Sequence, residues 1–294
     1  MHPSDRPRSL ALAAIAMLLS QPALAAEEPV TIAPSTKWQL DYAEDSCALQ
    51  RLFGQEGKRV FFELRQFAPD GSSQLVVTTP DIKYLNEEPE LFFAPDGTPM
   101  DLASAMGVEM GEFGKGFLST TSMREKPDDA EIAGTWIDPS AVAGREAATT
   151  GYRVEKAFKE PFILQTGSMA KPMEAMRACI DELVGHWGLD AGAQRNLLRK
   201  ASPNNLAETV KEVQSNYPEK ALRGGLQGVL RLRVTVDESG RGTDCKAQLA
   251  IADEVFQKTA CDIFMKKTEF NPALTRDGKP VASYWVASVI FRIV

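Results

Sequence analysis

Gly228-Val-Leu-Arg-Leu-Arg-Val-Thr-Val236, running into Asp237-Glu-Ser-Gly240, carries the clearest structural pattern in the chain. Apolar Val229, Val234 and Val236 are interleaved with polar Arg231, Arg233 and Thr235, the period-two pattern of a half-buried strand with one slip. The Asp-x-x-Gly that follows is a hairpin turn, so residues 241–250 are expected to return antiparallel. Upstream, Tyr217-Pro218 opens a short helical turn through Ala221, the proline supplying a preset φ at the helix start, and Gly224-Gly225 closes it. Downstream, Val255, Phe256, Ile263 and Phe264 recur at helical spacing within residues 252–267. Phe270-Asn-Pro272 stops that helix, Arg276-Asp-Gly-Lys279 turns the chain, and residues 281–293 form a final long strand. The order helix, strand, strand, helix, strand predicts one small antiparallel sheet packed with helices.

Tyr217-Pro218 with Ala221, Gly228, the strand and turn from Val234 to Gly240, Phe270-Asn-Pro272 and the terminal Ile290-Phe-Arg-Ile293 together resemble the TonB C-terminal domain family, the periplasmic end of an energy transducer that engages outer-membrane receptors. The resemblance covers residues 215–294, about a quarter of the chain. It implies binding by strand addition, in which a partner's extended segment pairs with an exposed sheet edge. The implied docking site is the edge of the final strand, centred on Ser283, Tyr284, Trp285 and Val286, with a second candidate at residues 214–218, including Tyr217 and Pro218. The implied partner is an outer-membrane receptor or other envelope protein. A homodimer through the same edge, or cover by the N-terminal domain, are the alternatives. Neighbours on a strand face opposite ways, so at least one of Tyr284 and Trp285 belongs to a core.

The chain begins with Arg6 and Arg8, an apolar run from Leu10 to Leu19, and Ala23-Leu24-Ala25-Ala26, the signature of an export signal. The run is about ten residues against the roughly 20 of a spanning helix, so cleavage after residue 25 and a periplasmic product are predicted. The alternative is a retained inner-membrane anchor, which would make the chain a transducer for transmembrane transport. Without an anchor it cannot transduce energy alone, and it reads as a non-catalytic, Gram-negative envelope protein that borrows the fold for binding. Loss of residues 1–25 takes away Arg6, Arg8 and Asp5, moving the formal charge from −7 to −8. An acidic surface disfavours nucleic acid. Arg223, Arg231, Arg233 and Arg241 cluster in the C-terminal module and are expected on a solvated strand face.

Export gives the four cysteines their meaning, since disulfides persist in oxidising compartments. Four cysteines permit three connectivities; the economical one joins Cys47 to Cys179 and Cys245 to Cys261. The second bridge would close a loop of about 15 residues, worth roughly 3 kcal/mol in the chain-entropy model. Zinc is the weaker reading: there is no Cys-x-x-Cys, and His186 is the one histidine left after cleavage. No cofactor is implied.

Residues 26–37 read as a leader without periodicity. Beyond them Lys37-Trp-Gln-Leu-Asp-Tyr42, residues 59–67 and residues 73–79 are β-branched and aromatic, with Pro69-Asp-Gly71 as a turn, predicting an antiparallel meander. Residues 91–93, 133–137 and 152–158 are further strand candidates, with a turn at Pro95-Asp-Gly97. Met173, Met176, Ile180, Leu183 and Val184 fall at helical spacing behind Lys171-Pro172, and Gly188 would end that helix. The methionines read as core filler and His186 as a residue near a helix end. Trp38, Asp41, Tyr42, Cys47, Arg51, Phe53 and Gly54 are similar to the beginnings of uncharacterised exported proteins, some ending in such a module. Arg51 is expected to pair with Asp41 or Glu44. The fold class is α+β: residues 38–189 a mainly antiparallel β domain with a helix, residues 190–214 a helical linker, residues 215–294 the C-terminal module. No serine, aspartyl, zinc or phosphate-loop motif occurs, and no catalytic residue is assigned. A hydrolase working through two carboxylates is the rival enzyme reading, and it requires a cleft with convergent carboxyls of raised pKa.

Overall fold

The computed structural model describes residues 29–69, 71–125, 139–251 and 253–293. The export signal and the strand expected at residues 133–137 lie outside them. In chain order the N-terminal domain contains β1 (Val30–Ile32), β2 (Gln39–Ala43), β3 (Ser46–Phe53), β4 (Val60–Gln66), β5 (Ser72–Thr79), β6 (Glu90–Ala94), β7 (Met100–Glu109), β8 (Lys115–Glu125), α1 (Pro139–Ala148), β9 (Gly151–Glu155), β10 (Phe162–Gln165) and α2 (Ala170–His186). β2, β4 and β5 are the three strands expected of the meander; β3, which was not expected, pairs between β2 and β4, and the sheet extends through β8 to β7, giving six antiparallel strands in the order β2-β3-β4-β5-β8-β7. A second sheet runs β1-β10-β9-β6.

Alternation along these strands builds one core. Leu49 of β3 faces Leu64 of β4, which faces Leu75 of β5, and Phe62, Phe117, Tyr152, Phe162 and Phe93 join them from both sheets. Burial of such side chains contributes about 1.5–3 kcal/mol each. Tyr152 stacks on Phe62 at 5.0 Å, and burial pushes its hydroxyl well above the ordinary range. α2 covers this core with Met173, Met176, Ile180, Leu183 and Val184 and is tied to β3 by the Cys47–Cys179 disulfide. It ends at His186 with Trp187 as its C-cap, followed by Gly188 at φ +75°.

Two expectations are corrected here. The stretch read as a leader belongs to the domain: β1 pairs in parallel with β10, Pro34 bridges Phe53, and Ser35 N donates to Leu52 O. A three-residue strand is too short for periodicity to reveal. Arg51 pairs with neither Asp41 nor Glu44. Its Nε and Nη1 donate to the carbonyls of Thr36 and Thr166, and its guanidinium lies 5.3 Å from the Trp38 ring. Arg65 takes Asp41 instead, at 3.6 Å.

The chain continues through α3 (Ala191–Arg195), β11 (Leu197–Arg199), β12 (Ser202–Pro203), α4 (Leu206–Ser215), α5 (Glu219–Arg223), β13 (Gly228–Val236), β14 (Gly242–Ile251), α6 (Glu254–Lys267), β15 (Phe270–Asn271), β16 (Ala273–Thr275), β17 (Pro280–Val281) and β18 (Ser283–Phe291). Residues 190–214 are helical at both ends and are no free connector. β11 pairs with β16, β12 with β15, and Ala201 and Val213 enter the second core.

That core lies between α6 and a sheet of order β14-β13-β18. β13 supplies Leu230, Leu232, Val234 and Val236 to it, and β18 Val289 and Phe291. The alternation in β13 is therefore unbroken, with Val229 on the arginine-bearing side. Phe256, Ala260 and Phe264 supply the helix side. Asp253 caps α6, its side chain accepting from Val255 N at 3.0 Å, and the Cys245–Cys261 disulfide joins β14 to α6.

Candidate partner-binding edge and interdomain cleft

β18 pairs with β13 on one side without a break in register from Ser283 to Phe291, and it stands at the end of its sheet. The outward carbonyl of Ile290 accepts from Gln214 Nε2 at 2.8 Å, and that of Ala282 from Gln194 Nε2 at 2.9 Å. In an antiparallel ladder residues two apart point the same way. Tyr284, Val286 and Ser288 therefore also direct backbone N–H and C=O away from β13.

The side chains expected at the docking centre are distributed otherwise. Ser283 is 1% exposed and its hydroxyl donates to Gln194 Oε1 at 2.6 Å. Tyr284 packs edge-on against Trp187 of the N-terminal domain at 5.3 Å. Trp285 turns to the opposite face and meets Phe264 at 5.3 Å and Phe270 at 5.8 Å. Val286 is half-buried, Ser288 exposed, and Ile290 56% exposed. Trp187 of the N-terminal domain and Gln194 thus cover the first part of the edge, Gln214 takes the Ile290 carbonyl at its far end, and Val286 to Ser288 between them are more open. Tyr217 lies edge-on to Phe256 and Phe291, its hydroxyl donating to Leu226 O at 2.5 Å, while Pro218 occupies the N-cap position of α5 at φ −60°. α4 starts at the end of α6, where Asn205 Nδ2 donates to Lys267 O, and finishes with Gln214 on Ile290. Its Leu206 and Val210, one turn apart, are 39% and 43% exposed.

The sheet face opposite α6 packs on the N-terminal domain, and this corrects the expectation for two of the four arginines. Arg231 lies 5.0 Å from the Phe67 ring and Arg233 4.2 Å from the Trp187 ring, while Gln248 Nε2 donates to Phe67 O at 2.8 Å. Periodicity identified the polar face, but not that aromatic rings cover it. Arg223 and Arg241 are on the surface, paired with Glu219 and Asp237.

Between the two domains lies a cleft of about 510 Å³. Its N-terminal wall carries Glu44, Asp45 and Glu182; its other wall carries Arg233, Asp244 and Lys246. Burial raises the Asp45 carboxyl, with Arg233 acting in the opposite sense, and burial lowers the Arg233 pKa. A raised carboxyl by itself does not make the acid and base pair of a glycosidase-type hydrolase. Sequence reasoning found no part of this cleft, because its walls come from three separate stretches of chain, around Asp45, Glu182 and Arg233. Among the described residues no group of three or more His, Cys, Asp or Glu is placed to hold a metal ion, and no helix is long and apolar enough to cross a membrane.

A three-stranded antiparallel sheet, β14-β13-β18, with α6 across one face makes the C-terminal part a small α+β module. Residues 213–293 match the model of the family described as Gram-negative bacterial TonB protein C-terminal. No curated protein matches the chain.

Proposed function

We propose that this chain is an exported, non-catalytic envelope protein whose C-terminal module binds an extended segment of a partner by strand addition to the outer edge of β18. The carrying observation is the end position of β18, with the backbone of Val286 and Ser288 directed away from its one ladder partner. Main-chain hydrogen bonds give such complexes their affinity. The match to the TonB C-terminal family supports an outer-membrane receptor as the partner. The two disulfides support an oxidising compartment, as does the export signal in the sequence.

The docking centre lies further along β18 than Ser283–Tyr284, at Val286 to Ser288, because Gln194 and Trp187 hold the earlier residues and Gln214 holds the carbonyl of Ile290. Ser288→Pro tests this. Proline deletes an outward N–H and is tolerated on an edge strand, so the fold should persist while binding falls. With a photo-crosslinker at Ile290, the parent protein should capture an extended receptor segment identified by mass spectrometry, and the Ser288→Pro form should not. Capture of a second copy of the chain would replace the receptor with a homodimer, and equal capture by both forms would exclude strand addition here.

A further inference from the structure

The interdomain cleft has features that strand addition does not use. Its walls differ in sign: Glu44, Asp45 and Glu182 on the N-terminal side face Arg233 and Lys246, with Asp244, on the C-terminal side. Arg233 is 4% exposed. Its Nε and Nη1 have no hydrogen-bond partner among the described residues; Nη2 reaches Asp244 at 3.5 Å, and Asp45 and Asp244 both act on its charge. A buried donor without an acceptor carries the full cost of its lost hydration, so a buried guanidinium lining a cavity marks a place for an incoming acceptor. A carboxylate suits it, since charge-assisted bonds from arginine to carboxylate are among the stronger hydrogen bonds. The opposite wall asks for a cation.

We propose that the cleft binds a small zwitterionic peptide, its carboxylate received by Arg233 and Lys246 and its ammonium by Glu44 and Glu182. The volume of about 510 Å³ falls within the usual range for small-molecule sites and suits a ligand of a few residues. Trp187, which holds the Arg233 guanidinium at 4.2 Å, supplies an apolar surface beside the charged ends. Because the walls belong to different domains, an occupied cleft also fixes the module against the N-terminal domain.

The test is titration calorimetry on the mature full chain with trialanine, N-acetyl-trialanine and trialanine amide. Trialanine should bind, and blocking either end should weaken binding about tenfold or more, the effect of losing one charge-assisted contact. Lys246→Gln and Glu182→Gln alter exposed side chains and leave folding intact. Lys246→Gln should weaken trialanine but leave trialanine amide unchanged; Glu182→Gln should do the same for the free and acetylated forms. Arg233→Gln should abolish the preference for a free carboxylate, with thermal unfolding reporting that the variant is folded. No heat with any of the three peptides, equal affinity for free and blocked ends, or no response to the exposed variants would overturn the proposal and leave the charges as a clamp between domains.

Discussion

At Gly240 the backbone turns at φ +83°, and a methyl group there would lie 2.2 Å from Phe270 O. Gly240→Ala should therefore cost more than about 2 kcal/mol, combining left-handed strain with a steric clash; urea unfolding measures it, and a loss below about 0.5 kcal/mol would contradict the geometry. In the same turn Asp237 accepts from Ser239 N and Oγ and from Arg241 N and Nε, and these bonds hold its carboxyl below the usual carboxylate range. A lowered folded pKa gives stability that is present above the unfolded value, about 3.9 for Asp, and is lost as pH falls through the folded value. The stability difference between the parent and Asp237→Asn should thus be level above about pH 5 and shrink in stronger acid; a difference independent of pH would rule out the carboxylate. The turn was legible in Asp237-Glu-Ser-Gly240, because its residue types are local requirements. The approach of Phe270 O to Gly240, and the ring facing Arg233, depend on chain remote in sequence and leave no trace in the pattern.

Among the elements, α2, α6, β13 and β18 were legible because each carries an apolar face of regular period. β3 and β8 were not. Arg51 interrupts the inward face of β3, and β8 presents Ser119 and Thr121 where an apolar residue would have marked it. The disulfide pairing followed from position, and its energetic weight differs between the two bridges. Cys245–Cys261 spans 16 residues and Cys47–Cys179 spans 132. The chain-entropy model gives about 3 kcal/mol for the shorter loop and more than about 4.5 kcal/mol for the longer. Paired Cys→Ala replacements should lower the unfolding midpoint in that order, as read by circular dichroism; the reverse order would place the stabilisation in native packing instead of loop closure.

For the whole molecule, the decisive feature is that two cores are held together by a small set of contacts centred on Trp187, which meets Arg233 and Tyr284. Trp187→Ala removes a cation–π contact and an aromatic pair, together about 1–3 kcal/mol. Hydrogen exchange should then quicken in β13 and at the start of β18 while the six-stranded sheet stays protected; unchanged exchange in β13 would show that the domains are held by other means. The domain boundary was read from a polar, Pro- and Asn-bearing stretch between two periodic regions. That this stretch pairs with β15 and β16, and that the N-terminal domain covers the first third of the docking edge, required the fold. The most direct test of partner binding by strand addition is capture of an envelope partner from a photo-crosslinker at Ile290, with and without Ser288→Pro. The account predicts an extended receptor segment captured by the parent and lost in the proline form; equal capture in both, or none in either, would contradict it.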